Sequence, residues 1–164
     1  MAQILVTAQD FGDEARAVHV QRTLTRLLEL GALPIINEND TVATDEIKVG
    51  DNDTLSAVVA SSVGADLLVL LSDIDGLYTA DPRTCADAAF IECVTELTPE
   101  IMALGAGAGT SFGTGGMATK LSAAKIALEN GADMVIANGS DPRVLYDIVE
   151  GNTVGTRFLA KREA

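Results

Sequence analysis

Two apolar runs without alternation set the strongest constraint on how this chain folds. Asp66 to Leu71 reads DLLVLL, and Asp133 to Ala137 reads DMVIA. A strand with one face in water alternates apolar and polar residues, so runs that skip the alternation belong to strands covered on both faces. Each run follows a segment with helical spacing that stops at a glycine: Asp53 to Val63 before Gly64, and Met117 to Asn130 before Gly131. The same rhythm opens the chain. QILVT (3–7) reads as a strand, residues 13–30 as a helix stopped by Gly31, and LPIIN (33–37) as a second strand. In that helix Ala17, Val20, Leu24, Leu27 and Leu28 share a face. A short helix at about 143–149 and an extended run, Gly155 to Leu159, close the chain. Strand, helix, strand at this spacing makes βαβ units, whose strands run parallel. The expected fold class is therefore α/β: a three-layer αβα sandwich with a mainly parallel sheet, in one domain covering residues 1–164.

Composition narrows the function. The chain has 164 residues, 48% of them apolar and 21% charged, which suits a packed domain and not a disordered one. No apolar run approaches the roughly 20 residues of a membrane span, and MAQILVTAQDF lacks the basic flank of a signal peptide. A soluble, cytoplasmic protein is expected. The net charge of −13 repels a nucleic acid backbone or an anionic membrane, so neither is expected as a partner. Cys85 and Cys93 are too few for a disulfide framework and read as reduced thiols. His19, the single histidine, falls inside a helix and reads as structural, which lowers the weight of histidine-dependent mechanisms.

Open α/β sheets bind ligands beyond the C-terminal ends of their strands. Four connections stand there: Asn37 to Asn52, Ser72 to Arg83, Gly105 to Lys120, and Asn138 to Pro142. The third, GAGAGTSFGTGGMATK, combines glycine-rich backbone, a following helix and Lys120 in its first turn. Close N–H groups, a helix dipole and a lysine are the parts of a phosphate cradle. The plainer alternative is a flexible loop and a solvated lysine. It is not a Walker motif, because Lys120 stands between Thr119 and Leu121.

The first connection is crowded with Asn37, Glu38, Asn39, Asp40, Asp45, Glu46, Asp51, Asn52 and Asp53. Such a cluster can bind a cation, hold an amino group or orient cationic side chains. It can equally serve local structure, with Asn52 or Asp53 as a helix N-cap and Asp40-Thr41 as a turn. In the second connection, SDIDGLYTADPR, Ser72 and Asp73 project from a strand tip and Tyr78 offers a flat face to a base. A plain excursion between elements is the other reading.

Taken in order and spacing, INENDTVATDEIKVGDND (36–53), LLSDIDGLYTADPR (70–83) and GTGGMATKLSAAKIALENGADMVIANG (113–139) resemble the glutamate 5-kinases of the amino acid kinase superfamily. The middle motif is shared across that superfamily, whereas the outer two are closer to the glutamate kinases. The resemblance implies ATP-dependent phosphorylation of the glutamate side-chain carboxylate, with Mg²⁺, as the first step of proline biosynthesis. It implies glutamate binding by Asp40 and Asn52. It implies ATP binding by Ser72, Asp73, Thr114, Gly115, Gly116, Met117, Ala118, Thr119 and Lys120. Lys120 resembles a catalytic lysine that stabilises the transferring phosphoryl group, and Asp53 an aspartate that organises catalytic lysines. Homo-oligomers are implied as well.

Family members carry, upstream of the matched motifs, a strand and a glycine-rich loop with a second lysine that have no counterpart here. The chain is thus expected to be the C-terminal, nucleotide-binding portion of such a domain, incomplete at its N-terminus and slow or inactive alone. Two alternatives stay open. One is a related kinase with another acceptor, and the other is a non-catalytic nucleotide- or amino-acid-binding module that needs a partner chain.

Overall fold

The computed structural model describes residues 1–42, 51–105 and 116–161. The chain starts with β1 (Ala2–Val6), α1 (Ala8–Gly12), α2 (Glu14–Glu29) and β2 (Pro34–Glu38). β1 and β2 pair in parallel, from Ala2 opposite Pro34 to Val6 opposite Glu38. Asp13 starts α2 by accepting the Arg16 N–H at 2.9 Å. The helix buries Leu24, but Leu28 is 53% exposed, so the apolar stripe is narrower than its spacing suggests. Ala17, Val20 and Leu27 are half-buried. His19 lies on the exposed part of α2.

The second block holds α3 (Asn52–Val63), β3 (Leu67–Ser72), β4 (Leu77–Tyr78), β5 (Phe90–Ile91), β6 (Cys93–Val94) and α4 (Pro99–Ala103). It is completed by α5 (Met117–Glu129), β7 (Asp133–Asn138), α6 (Val144–Glu150) and β8 (Thr156–Phe158). β3 and β7 pair in parallel along their full length, from Leu67 opposite Asp133 to Ser72 opposite Asn138. The four-stranded sheet runs β3-β7-β8-β6, with β8 antiparallel to β7 and parallel to β6. β4 and β5 form a separate antiparallel pair.

The 133–137 run is covered on two faces, whereas the 66–71 run is buried at Leu68 and Leu70, half-buried at Leu67 and Val69 and exposed at Leu71. On one side Leu68, Leu70, Met134 and Ile136 pack with Ala57 and Ala60 of α3 and Leu121, Ala123, Ala124 and Ala127 of α5. On the other, Val135 and Ala137 pack with Ile148 of α6 and with the partly buried Leu67, Val69 and Val144. Helices, sheet and helix make the three layers. The alanines on α3 and α5 let these helices approach closely, because small side chains keep the backbones near each other.

The β4–β5 pair is tied to the main sheet by the fully buried Thr156, whose hydroxyl accepts the Leu77 N–H at 2.7 Å and donates to the Ile91 carbonyl at 2.6 Å. A Cβ at Gly76 would stand 2.5 Å from that hydroxyl oxygen, so the crossing needs glycine. Cys85 is half-buried and Cys93 exposed, and both are free thiols.

Candidate functional site

The first turns of α3 and α5 meet. Asp51, and not Asn52 or Asp53, caps α3: one carboxylate oxygen accepts the Thr54 N–H at 2.6 Å and the other the Thr54 hydroxyl at 2.9 Å. That corrects the sequence-based assignment, and the shift has a consequence for Asp53. Relieved of capping, Asp53 reaches across to α5, where Oδ2 lies 3.0 Å from Lys120 Nζ and 2.7 Å from Thr119 Oγ1.

Lys120 is only 7% exposed. A buried ammonium is costly unless paired, and Asp53 supplies the countercharge. Among the described residues no buried side-chain polar atom lacks a partner. The start of α5 has no side-chain cap among the described residues: Gly116 is the N-cap, it has no side chain to bond the first-turn N–H groups, and no acidic residue stands in that turn. Backbone N–H groups, the positive end of a helix dipole and a paired lysine thus belong to the same first turn. This arrangement favours a phosphate or carboxylate.

Gly105 contributes to the same place. It is buried at the end of α4, and a Cβ there would stand 2.9 Å from Ala118 Cα and 3.1 Å from Leu121 Cδ1. Backbone therefore lies directly against the first turn of α5. Sequence reading placed Gly105 at the head of the glycine-rich stretch but gave it no contact of its own.

A second group stands at the ends of β3 and β7. Ser72 Oγ donates to Asp73 Oδ1 at 3.2 Å, and the exposed Asp73 faces Arg83 at 3.8 Å. Asn138, opposite Ser72, donates to Asp75 Oδ1 at 2.9 Å and accepts the Ser140 N–H at 2.9 Å. The Gly139 N–H donates to the Ser72 carbonyl at 2.8 Å, so two of the four connections are tied together. Asp75 and Asn138 were missed as a pair by the sequence reading, although each lay in a connection singled out there. Tyr78 is half-buried with its ring edge-on to Phe90 at 5.1 Å.

Asp40 is exposed in the turn after β2. The turn is built by Asn39, whose N–H donates to the Val6 carbonyl at 2.7 Å and whose side-chain oxygen accepts the Thr41 hydroxyl at 2.6 Å. Asn52 is exposed as the first residue of α3. Met117 packs on the core and Ala118 is exposed. Thr114, Gly115, Asp45 and Glu46 lie outside the described residues. Among the described residues no group of three His, Cys, Asp or Glu side chains is placed to hold a metal. No described helix is long and apolar enough to cross a membrane.

A profile of the amino acid kinase family matches residues 1–138. The chain belongs to the amino acid kinase family. It is 56% identical over 159 residues to a glutamate 5-kinase of Deinococcus radiodurans, covering 97% of this chain and 44% of that protein. It is 54% identical over 160 residues to a glutamate 5-kinase of Clostridium tetani, covering 98% of this chain and 60% of that one. The chain thus spans about half the length of the curated relatives it matches. Among solved structures it is similar to an isopentenyl phosphate kinase of T. acidophilum, with a TM-score of 0.58 and 20% identity, over 84% of this chain and 52% of that one. A UMP kinase from Ureaplasma parvum gives a TM-score of 0.58 at 18% identity, over 85% and 52%. These likenesses support the α/β sandwich, and the amino acid kinase family membership agrees with the resemblance carried by the three motifs.

Proposed function

We propose that this chain carries the nucleotide side of a glutamate 5-kinase site, in a protein that uses ATP to convert the L-glutamate side-chain carboxylate into L-glutamyl 5-phosphate at the start of proline biosynthesis. The observation that carries the reading is Lys120, buried and held by Asp53 at 3.0 Å beside a helix start with no side-chain cap among the described residues. The names of the relatives supply the acceptor.

The chemistry suits the residues. A glutamate side chain ionises near pH ~4, so the nucleophile is an anion at neutral pH and needs no general base. The task left to the protein is to hold two anions in line and to offset charge on the phosphoryl oxygens. Lys120 and the N–H groups of Gly116, Met117 and Ala118 are suited to ATP phosphates, whereas the Thr119 N–H is already given to the Gly116 carbonyl at 3.1 Å. Ser72 and Asp73, at the tip of β3, are proposed for the rest of the nucleotide, with Thr114 and Gly115 proposed from the motif alone. Asp40 and Asn52 are proposed for glutamate. Mg²⁺ is commonly held by substrate phosphates and one or two carboxylates, so the absence of a three-carboxylate cage among the described residues is compatible with it. When bound, it offsets phosphate charge.

Isothermal calorimetry tests the reading. Mg·ATP is expected to bind at up to millimolar concentration, and Lys120→Ala to weaken it about tenfold or more. No heat at millimolar Mg·ATP sinks the proposal. Hydroxylamine trapping of glutamyl phosphate then asks whether this chain turns over alone, and the expectation is slow or absent turnover.

A second reading, a binding module that needs another chain, draws support from Leu5, Leu33 and Ile35. They are 48%, 66% and 49% exposed at the β1–β2 sheet. Homo-oligomerisation is proposed on the same ground. Sedimentation of the chain as a monomer with full kinase activity removes the binding-module reading.

A further inference from the structure

Thr119 falls within the segment proposed to bind ATP, yet its hydroxyl is already engaged inside the protein. Oγ1 is 2.7 Å from Asp53 Oδ2 and 2.7 Å from the Gly116 carbonyl oxygen. Both neighbours are acceptors, and a hydroxyl has one proton to give. The bond to the carboxylate is charge-assisted and is the stronger of the two, so the proton belongs to Asp53.

The oxygen that receives it is the same Oδ2 that holds Lys120 Nζ at 3.0 Å. Two adjacent side chains of α5 therefore converge on one oxygen of α3. An ammonium on a four-carbon stem can swing around a lone carboxylate, whereas a second donor on the same oxygen fixes where that carboxylate points. Thr119 itself is half-buried and sits in the first turn of the 13-residue α5, so it has little freedom of its own.

We infer that Thr119 is a positioning residue and not a nucleotide ligand: by bonding Asp53 Oδ2 it fixes the carboxylate that aims the Lys120 ammonium. This rests on the proposed ATP site for its consequence in binding, but the positioning itself is a property of the protein without nucleotide.

The experiment has two arms on the same variants. In the nucleotide-free protein, NMR relaxation of the Lys120 side-chain ¹⁵Nζ reports how ordered the ammonium is. Thr119→Val, which keeps the shape and loses the hydroxyl, is expected to lower that order, and Thr119→Ser to restore it; Thr119→Ala replaces the valine variant if that one does not fold. Order in the hydroxyl-less variant equal to wild type overturns the inference, whatever the protein binds. In the second arm, calorimetry with Mg·ATP is expected to show about fivefold weaker binding for Thr119→Val and less than about twofold change for Thr119→Ser. Against a Lys120→Ala background, Thr119→Val is expected to add less than about twofold, since its effect passes through the lysine. An undiminished effect in that background marks Thr119 as a direct ligand and overturns the inference. A wild-type chain that binds no Mg·ATP removes the proposed function and leaves the relaxation arm to decide the role of Thr119.

Discussion

At the scale of single residues, Asp53 and Lys120 form an asymmetric pair. Their side chains are 18% and 9% exposed, so the carboxylate stands nearer to water than the ammonium. Asp53 also keeps Thr119 and the start of α3 for support when the lysine is lost, whereas the lysine without Asp53 is a buried charge with its carboxylate partner gone. Breaking such a pair from the side that leaves the deeper charge unpaired costs about 3 kcal/mol or more. Asp53→Ala is therefore expected to destabilise the fold more than Lys120→Met, with the double variant recovering part of the loss. Urea unfolding checks this, and equal losses for the two single variants contradict it. The chain's sequence exposed half of this arrangement. Lys120 was legible as a cation following a glycine-rich stretch, and Asp53 entered through motif resemblance. That Asp51 takes the cap was not legible, because Asp51, Asn52 and Asp53 are all good caps and only the helix phase selects among them.

At the scale of elements, the site depends on how closely α3 and α5 pack. Ala57 and Ala60 meet a helix whose Ala123, Ala124 and Ala127 are fully buried. Ala124→Leu adds methylenes where there is no space, and overpacking of this kind costs about 1–3 kcal/mol. The larger side chain also pushes apart the helices whose first turns hold Asp53 and Lys120, so weaker Mg·ATP binding is expected to accompany the lost stability. Ser122→Leu, on the exposed side of the same helix, is expected to change both by little. Thermal unfolding and calorimetry on the two variants decide it; equal effects would falsify the packing argument. Long elements such as α3, β3, α5 and β7 were legible from periodicity and unbroken apolar runs. β4, β5 and β6 span two residues each and α1 and α4 five, which is too short for any period to register.

At the scale of the whole molecule, charge and hydrogen bonding pull in opposite directions as pH falls. The net charge of −13 at pH 7 destabilises the compact chain by self-repulsion, and protonation on the acid side relieves it. Against this, among the described residues three carboxyls are favoured in their ionised form by the fold. Burial pushes Asp10 up, but hydrogen bonds from the Thr7 hydroxyl and N–H and the charge of Arg16 hold it below its usual 3.8. The Thr98 hydroxyl lowers Glu100 at the start of α4, and the Arg143 guanidinium lowers Asp141. A carboxyl lowered in the folded state contributes stability that is complete above its ordinary value, here 3.8 for the aspartates and 4.5 for the glutamate, and that is lost as pH falls through the lower folded value. The parallel α/β layout of the molecule was legible from the two apolar runs. The pairings of these carboxyls were not, since Thr7 with Asp10 and Asp141 with Arg143 are local geometries that spacing permits without requiring. In low salt, the melting temperature is expected to hold or rise slightly from pH 7 toward about pH 5, then to fall below about pH 4. In high salt the repulsion is screened, so the early rise disappears while the acid loss remains. A melting temperature that climbs continuously to pH 3, at either salt concentration, shows that these three carboxylates do not contribute as described.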